Sequence, residues 1–395
     1  MIPQGWKEKT LGEVCIVERG SSPRPIKNFI TDDGSGVNWI KIGDCSGKYV
    51  TSTAQKITEE GAKKSRHVKE GDFVISNSMS YGKPYILKID GYIHDGWFVL
   101  RLNKNLINAD YFYYLLSSNY VKEQYDALAT GAIVQNISSD LIKRVQFNLP
   151  PLPEQERIVT KLDEAFEAID KVKANAEQNL NNAKELFETA LNNAFTENTD
   201  GWEEKTLGEV SQIISGTTPD TSNPDFWGKG NYWVTPAEIN EDNLYIRKTD
   251  REITNLAIES CSLRKMPRGT IIFSSRAPIG KIAISDVDTL YCNQGFKNFI
   301  CSKNIYNKFL YYFLLKNKKY IISLGKGTTF KEVSKGIISA VNIQYPSLPE
   351  QHKIVEKLDK LQEQTKQLEA IYTKKIKDLD ELKQSILQKA FRGEL

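Results

Sequence analysis

Basic side chains are concentrated in two segments in the second half of this 395-residue chain. Between Ile300 and Gly336 there are eight lysines and only one acid, Glu332. Between Leu263 and Lys281 there are five basic residues and no acid. The whole chain carries a net charge of only +3, so the local charge density is more informative than the total. This density suits contacts to phosphate groups, and a solvated charged face is the alternative.

Residue types that carry out catalysis or bind metals form no recognisable pattern. The five cysteines are widely spaced without a CxxC pair, and the three histidines are isolated, which predicts free thiols and no metal site. Gly325–Thr329 is glycine-rich and basic but lacks the spacing of a nucleotide phosphate loop. Asn148–Pro151 has the wrong order for the loop with which adenine methyltransferases hold a flipped base. We therefore expect neither a catalytic residue nor a cofactor in this chain.

The composition is typical of a globular protein, with 26% charged and 40% hydrophobic residues. No run of eighteen apolar residues could span a membrane, and the N-terminus lacks the pattern of a secretory signal. The length allows two or three domains. We expect a cytoplasmic protein that needs no membrane.

The elements that must position any functional residues are present twice. Gly5–Val14 recurs as Gly201–Val210 with a single difference, and Leu152–Gln155 recurs as Leu348–Gln351 at the same offset. The repeat extends as far as Ala390-Phe391. A match over this length indicates a tandem duplication that covers nearly the whole chain.

Each copy begins with short β-rich runs separated by turn residues and ends with an aromatic helix, which predicts an α+β module. The aromatic clusters Tyr111–Tyr114 and Tyr311–Phe313 could stack on bases, but consecutive aromatics on a helix more often pack in a core. The loops differ between the copies, as in Ser76–Met79 compared with Ser274–Ala277.

A proline-rich joint follows each module and predicts the start of a long helix. Apolar residues then recur at mostly heptad spacing, which gives each helix one stripe for one partner. If a pseudo-two-fold axis relates the copies, the two helices pair antiparallel, and about 40 residues span roughly 60 Å. This length suits a spacer between two modules on DNA, for which one turn is about 34 Å, whereas a filament-like scaffold is the alternative. The stripes consist of Ile158, Leu162, Ala165, Ile169, Val172, Ala176, Ala183 and Ala190 in the first helix, and Ile354, Leu358, Leu361, Thr365, Leu368, Tyr372, Leu379, Leu382 and Ile386 in the second.

Several short motifs together resemble the specificity subunits of Type I restriction-modification systems. They are the two Gly-Trp…Thr-Leu-Gly-Glu segments from Gly5 and Gly201, the Leu-Pro-x-Leu-Pro-Glu-Gln joints at Leu149 and near Pro346, Ser275–Lys281, Asn293–Phe296 and Ile386–Leu395. The resemblance implies an α+β protein with two pseudo-two-fold-related target-recognition domains, separated by two long antiparallel coiled-coil-like helices. It places these domains at residues 1–152 and 199–348 and the helices at 153–198 and 349–395.

The resemblance further implies a non-enzymatic chain that binds double-stranded DNA, with each domain reading one half of a split target. Because the loops differ between the two copies, we expect two unlike half-sites and therefore an asymmetric target. The helices would set the unread spacer and dock two methyltransferase subunits. Restriction subunits would complete the complex. S-adenosylmethionine, ATP and Mg would be bound by those partners and not by this chain.

The residues expected to contact DNA combine hydrogen-bonding side chains with neighbouring glycines that let a loop approach the groove. Turn formation is the alternative role of the serines and threonines among them. In the first module they are Ser21, Ser22, Arg24, Lys27, Ser76, Asn77, Ser78, Tyr81 and Lys83, with Gln135 and Asn136 as weaker candidates. In the second module they are Thr217, Thr218, Ser274, Ser275, Arg276, Lys281, Gln294, Lys297, Lys326, Thr328 and Thr329.

Two other functional classes compete with this interpretation. The first is an enzyme, a methyltransferase or nuclease whose motif is not recognised. The second is a structural scaffold, or a specificity subunit that no longer binds DNA. Methyl transfer by the isolated chain would support the first alternative, and the absence of salt-dependent, sequence-selective binding would support the second.

Overall fold

A computed structural model describes residues 3–77, 82–129, 138–197, 199–240, 243–326 and 331–395. The chain divides into two compact units, of which the first comprises Met1–Glu177 with Thr373–Leu395 and the second comprises Gln178–Tyr372. Each unit therefore contains one module together with parts of both long helices. No helix in these ranges is both long and apolar enough to cross a membrane.

The first unit contains three sheets, with strand orders β1-β12, β3-β6-β4-β10-β7 and β2-β11-β8-β9-β5. Its strands are β1 (Lys7–Thr10), β2 (Cys15–Arg19), β3 (Ile30–Thr31), β4 (Val37–Ile40), β5 (Tyr49–Val50), β6 (Gln55–Ile57), β7 (Arg66–Val68), β8 (Phe73–Ser76), β9 (Pro84–Leu87), β10 (Gly91–Ile93), β11 (Trp97–Leu102) and β12 (Gln146–Leu149). Its helices are α1 (Leu11–Val14), α2 (Glu59–Ala62), α3 (Ala109–Leu116), α4 (Asn119–Ala129), α5 (Ser139–Lys143) and the first part of α6 (Leu152–Asn193).

The second unit repeats this plan with sheets ordered β13-β22, β14-β21-β18-β19-β16 and β17-β15-β20. Its strands are β13 (Glu203–Thr206), β14 (Ser211–Ile214), β15 (Trp227–Val234), β16 (Tyr245–Ile246), β17 (Arg251–Ile253), β18 (Ile271–Phe273), β19 (Ile282–Ser285), β20 (Leu290–Cys292), β21 (Asn298–Cys301) and β22 (Asn342–Tyr345). Its helices are α7 (Leu207–Val210), α8 (Asn255–Ser260), α9 (Asn307–Lys316), α10 (Lys318–Ser323), α11 (Lys335–Ser339) and the first part of α12 (Leu348–Arg392).

The sheet β2-β11-β8-β9-β5 is the central sheet of the first unit, and both of its faces are covered. Successive side chains of β8 point to opposite faces. Phe73 and Ile75 enter the core that contains the aromatic helix α3, whereas Val74 enters a second core that contains Trp97. The aromatic residues of α3 and α9 are largely buried, and Phe112 and Tyr312 have no exposed surface. The predicted α+β class and the core role of these aromatic helices are confirmed.

The long helices run antiparallel within the first unit. Lys173 Nζ lies 2.5 Å from Asp380 Oδ1, and Asp170 pairs with Lys383, so the residue numbers rise along one helix as they fall along the other. The end of α12 enters the core of the first unit, where the Phe391 ring packs edge-on against Tyr111 at a centroid distance of 5.4 Å.

The second unit uses the end of α6 in the corresponding way. Phe195, which follows the helix, packs on Phe309 of α9 at a centroid distance of 5.0 Å. Leu191 joins the same core as Val355 and Leu358 of α12. The repeated Ala-Phe segment therefore has the same role in both units. Ala390-Phe391 completes the core of the first unit, and Ala194-Phe195 completes the core of the second.

The predicted apolar stripes are only partly buried. Ile158, Leu162 and Leu358 are buried as expected, but Val172 and Leu382 are 40% and 46% exposed, and Leu368 is 37% exposed. The helices carry small side chains at several buried positions, such as Ala176, Ala183 and Thr365. The stripes are therefore not buried along their full length.

Candidate DNA-recognition loops

Three loops of the first unit meet at one end of its central sheet. The loop after β2 bonds to the end of β10, because the Ser21 N–H donates to the Ile93 carbonyl at 3.3 Å. At the end of β8, the Asn77 N–H donates to the Gly96 carbonyl at 3.0 Å in the turn between β10 and β11. A Cβ atom on Gly20 would lie 1.9 Å from the His94 carbonyl oxygen, so this close approach requires glycine.

A charged cluster lies on these loops. Ser22 Oγ donates to Asp95 Oδ1 at 3.0 Å, and Arg24 Nη2 donates to Asp95 Oδ2 at 2.8 Å. Burial raises the pKa of the Asp95 carboxyl, but the bonds from Ser22 and Arg24 outweigh it and hold the pKa below its usual value of 3.8. The Arg24 side chain remains 80% exposed, so the carboxylate anchors it without covering it.

The same loops border a cleft of about 520 Å³. Its lining includes Arg24, Lys27, Trp39, Lys41 and His94. His94 Nδ1 accepts the Gly96 N–H at 2.9 Å, which closes the turn between β10 and β11. Burial lowers the pKa of His94 and so favours its neutral form, which is the form that can accept this bond.

The second unit builds the same loops with different side chains. The Thr217 N–H donates to the Cys292 carbonyl at 3.0 Å, and the Ser275 N–H donates to the Gly295 carbonyl at 2.8 Å. The turn between β20 and β21 is closed by Asn293 Oδ1, which accepts the Gly295 N–H at 2.9 Å, as His94 does in the first unit.

Two polar side chains meet across these loops in the second unit. Thr218 Oγ1 donates to Gln294 Oε1 at 2.5 Å. Thr218 corresponds to Ser22 of the first unit, and Gln294 corresponds to Asp95. A neutral amide therefore replaces a carboxylate at this position. The exposed surface of the shared frame therefore differs in chemistry between the units.

A second ion-pair cluster lies beside the Gly295 turn. Glu332 accepts from Arg276 Nε at 2.9 Å and from the buried Lys297 Nζ at 3.1 Å. Lys297 Nζ also donates to Ser275 Oγ at 3.2 Å. Burial raises the pKa of the Glu332 carboxyl, but the bonds from Lys297 and Arg276 outweigh it and lower the pKa below its usual range. Arg276 keeps 47% of its side chain exposed.

The predicted DNA-contacting residues differ widely in exposure, and a DNA contact stays a prediction for each of them. The exposed ones are Arg24, Lys27, Lys83, Thr217, Arg276, Gln294 and Lys326, and the half-buried ones are Ser21, Ser22, Thr218 and Lys281. The buried ones are Ser76, Asn77, Ser274, Ser275 and Lys297. Outside the described residues lie Ser78, Tyr81, Gln135, Asn136, Thr328 and Thr329.

The buried members of this set hold the loops in place. Asn77 Nδ2 donates to the Asp95 carbonyl at 2.9 Å, and Ser274 Oγ donates to the Pro278 carbonyl at 2.7 Å. The half-buried Lys281 likewise donates from Nζ to the Pro236 carbonyl at 2.9 Å. In this structure these groups fix loop geometry, and the exposed candidates are their neighbours on the same loops.

Two residues of the site were not predicted from sequence. Asp95 and Glu332 are acidic, whereas the residue types expected to contact DNA are cations, amides and hydroxyls. The only signal was the aligned turn, in which Asp95-Gly96 stands where the second copy has Gln294-Gly295. In the described ranges, no group of three or more His, Cys, Asp or Glu side chains is placed to hold a metal ion.

Comparison with known proteins identifies the family. The sequence model for the Type I restriction modification DNA specificity domain matches residues 3–182 and again residues 199–378. The chain belongs to the family of Type I restriction-modification specificity subunits. The two matches coincide with the two copies of the duplication, so each copy is one DNA specificity domain.

Similar sequences come from specificity subunits, and solved structures share the fold. The MjaIX specificity subunit of Methanocaldococcus jannaschii is 39% identical over 39% of this chain and 36% of its own length. The putative MjaX specificity subunit of the same organism is 25% identical over 100% of this chain and 94% of its own. A chain from a structural study of complex assembly and conformational transition of the type I R-M system has the same fold, with a TM-score of 0.83 at 24% identity and full coverage of both chains. The HsdS subunit of Thermoanaerobacter tengcongensis gives a TM-score of 0.59 at 24% identity, covering 100% of this chain and 98% of its own.

Proposed function

We propose that each unit of this specificity subunit reads one half of an asymmetric, bipartite site in double-stranded DNA. The observation that supports this is the repeated loop frame. Main-chain hydrogen bonds hold the frame in the same way in both units, but Asp95 of the first is replaced by Gln294 in the second. Because base edges are distinguished by donors and acceptors, two frames with different side chains select different base sequences.

The long helices are proposed to set the spacer between the half-sites and to dock two methyltransferase subunits. Helix α6 has 42 residues and α12 has 45, which correspond to lengths of roughly 60 to 70 Å. Both helices contribute residues to both units. Their partly exposed apolar residues, such as Val172 and Leu382, offer surface to a partner.

Catalysis is proposed to reside in partner subunits. Two methyltransferase subunits would bind S-adenosylmethionine and modify adenine, and restriction subunits would use ATP and Mg to cleave. This chain would bind none of these cofactors, and it would act on DNA in the cytoplasm. The support is the family membership together with the absence of a methyltransferase or phosphate-loop motif from the sequence.

The decisive experiment is to co-express the chain with its methyltransferase partner and to map the methylated adenines by sequencing. We expect two unlike half-sites separated by a spacer of fixed length. A symmetric palindrome would contradict two unlike domains. Absence of any sequence-selective DNA binding, tested at several salt concentrations, would instead support a scaffold.

The isolated chain provides the second arm of this test. Incubated with S-adenosylmethionine and DNA that carries the mapped site, it should transfer no methyl groups, whereas the complex should. Methyl transfer by the chain alone would overturn the non-catalytic assignment.

A further inference from the structure

Asp95 and Gln294 occupy the same position on the shared loop frame. Each precedes the glycine of its turn. Each also accepts a hydrogen bond from a hydroxyl group, that of Ser22 in the loop after β2 or that of Thr218 in the loop after β14. The backbone around them is fixed by the same main-chain bonds. The side chain at this position can therefore differ without a change in the frame.

In the first unit, this position supports an arginine. Both Asp95 oxygens already accept a hydrogen bond, one from Ser22 and one from Arg24, so the carboxylate acts as a positioning group. Arg24 is the exposed member and offers only donors. In the major groove, guanine presents two adjacent acceptors, O6 and N7, which match the donor fork of a guanidinium.

In the second unit, the residue that corresponds to Arg24 is Asp220. Asp220 Oδ1 accepts from the Ser222 N–H at 2.9 Å and from Ser222 Oγ at 2.8 Å, which ties it to its own turn. Gln294 is exposed, and the Thr218 hydroxyl holds its amide oxygen. An amide that both donates and accepts matches the N7 acceptor and N6 donor of adenine.

We infer that the residue before the turn glycine determines which side chain reads a base in each half-site. In the first unit Asp95 holds Arg24, which reads a guanine. In the second unit Gln294, held by Thr218, itself reads an adenine. The inference rests on the proposed function, because it requires that these loops enter the DNA groove. It adds which side chains select a base and which base each one selects.

The test is selection of preferred DNA sequences from a library randomised in both half-sites, using the chain assembled with its methyltransferase partner. The wild type should require guanine at one position of the first half-site and adenine at one position of the second. Arg24→Gln should replace the guanine preference by adenine, and Gln294→Glu should replace the adenine preference by cytosine. Each change should alter the preference about 10- to 100-fold.

Each variant carries its own control, because the preference in the other half-site should remain unchanged. The supporting residues give a second readout: Asp95→Asn and Thr218→Val should weaken the preference at the same base without changing its identity. This pattern separates base reading from a general loss of folding, which would reduce binding to all sequences.

The failure of this inference is distinguishable from failure of the proposed function. If the wild type selects a bipartite site but Arg24→Gln and Gln294→Glu leave every base preference intact, the assignment of these residues is wrong. A uniform loss of affinity for all sequences would also overturn it, by making them phosphate contacts. If the wild type selects no sequence, the proposed function itself fails.

Discussion

Gln155 accepts the backbone N–H of Asn108 through Oε1 at 2.8 Å. Its Nε2 donates to the carbonyls of Leu106 and Pro150 at 3.0 and 2.9 Å, and the residue has no exposed surface. One buried amide thus joins the start of α6 to the segment that leads into α3. This contact explains the glutamine of the repeated Leu-Pro-Glu-Gln motif.

Replacing Gln155 with Ala should destabilise the first unit by about 2–4 kcal/mol, because three backbone groups lose their hydrogen bonds to a buried amide. The decrease in the free energy of unfolding would be measured by chemical denaturation, with hydrogen exchange of the α3 amides reporting on the first unit. Glu156→Ala, at an exposed neighbouring position, is the control and should change stability little. Equal stability of the two variants would show that water replaces the amide without cost.

Phe391→Ala should destabilise the first unit by about 3–5 kcal/mol, since it opens a cavity in a core that contains Tyr111. Hydrogen exchange should accelerate in α3 and stay unchanged in α9. Phe195→Ala is the matched variant and should produce the opposite pattern. Uniform acceleration in both units after either change would contradict separate cores.

The first unit should lose stability as the pH falls through about 6.5, the usual pKa of histidine. Burial lowers the pKa of folded His94, an effect that Asp95 opposes and Lys41 reinforces. Between the folded and unfolded pKa values the unfolded state binds more protons, so the free energy of unfolding decreases with decreasing pH.

His94→Asn should reduce that pH dependence. Asn293 closes the corresponding turn in the second unit without titrating, so asparagine can keep the bond to Gly96. Urea denaturation of both proteins at about pH 7.5 and about pH 5.5 would measure the difference. An identical slope for variant and wild type would assign the pH dependence to other groups.

Arg276→Ala should cost about 1–3 kcal/mol in DNA binding and relax only the half-site read by the second unit, as for a bidentate contact to guanine. Binding to a panel of single-base variants would measure both effects. Arg247→Ala is a suitable control, because Arg247 is an exposed arginine of the same unit that pairs with Asp286. A loss that is uniform across sequences would make Arg276 a phosphate contact.

Inserting seven residues into both long helices, after Glu177 and after Tyr372, should lengthen the DNA spacer. Seven helical residues add about 10 Å, equivalent to about three base pairs. Mapping methylated adenines in the complex would reveal the new spacing. Insertion into α6 alone should disrupt the pairing with α12, and an unchanged spacer in the double insertion would exclude the helices as its determinant.

The sequence was sufficient to predict the framework because its signals are local or repeated. Proline at the joints, heptad spacing in the helices and the copied Gly5–Val14 segment each depend on neighbouring residues. The α+β class and the buried aromatic helices followed from the same kind of pattern. The contacts of Gln155 could not be predicted, since its partner Asn108 lies 47 residues earlier.

The candidate site was predicted less well because exposure at the end of a strand depends on the surrounding loops. Ser274 and Ser275 follow a strand and resemble loop donors, but both are fully buried. Arg276 emerges next to them and is fixed by Glu332, which lies 56 residues later. The sequence indicates which residue types can read DNA. It does not indicate which of them is held at the surface by a carboxylate that is distant in sequence.

The glycine contacts and main-chain bonds of the loop frame also bear on how this protein can evolve. At Gly20 and Gly216, two loops of the same unit approach each other through backbone atoms. The conformation of the loop frame therefore depends little on the exposed side chains of these loops. A mutation of such an exposed side chain then costs little stability. New preferences can arise by single substitutions, and a duplicated gene can diversify one copy while the other keeps its target.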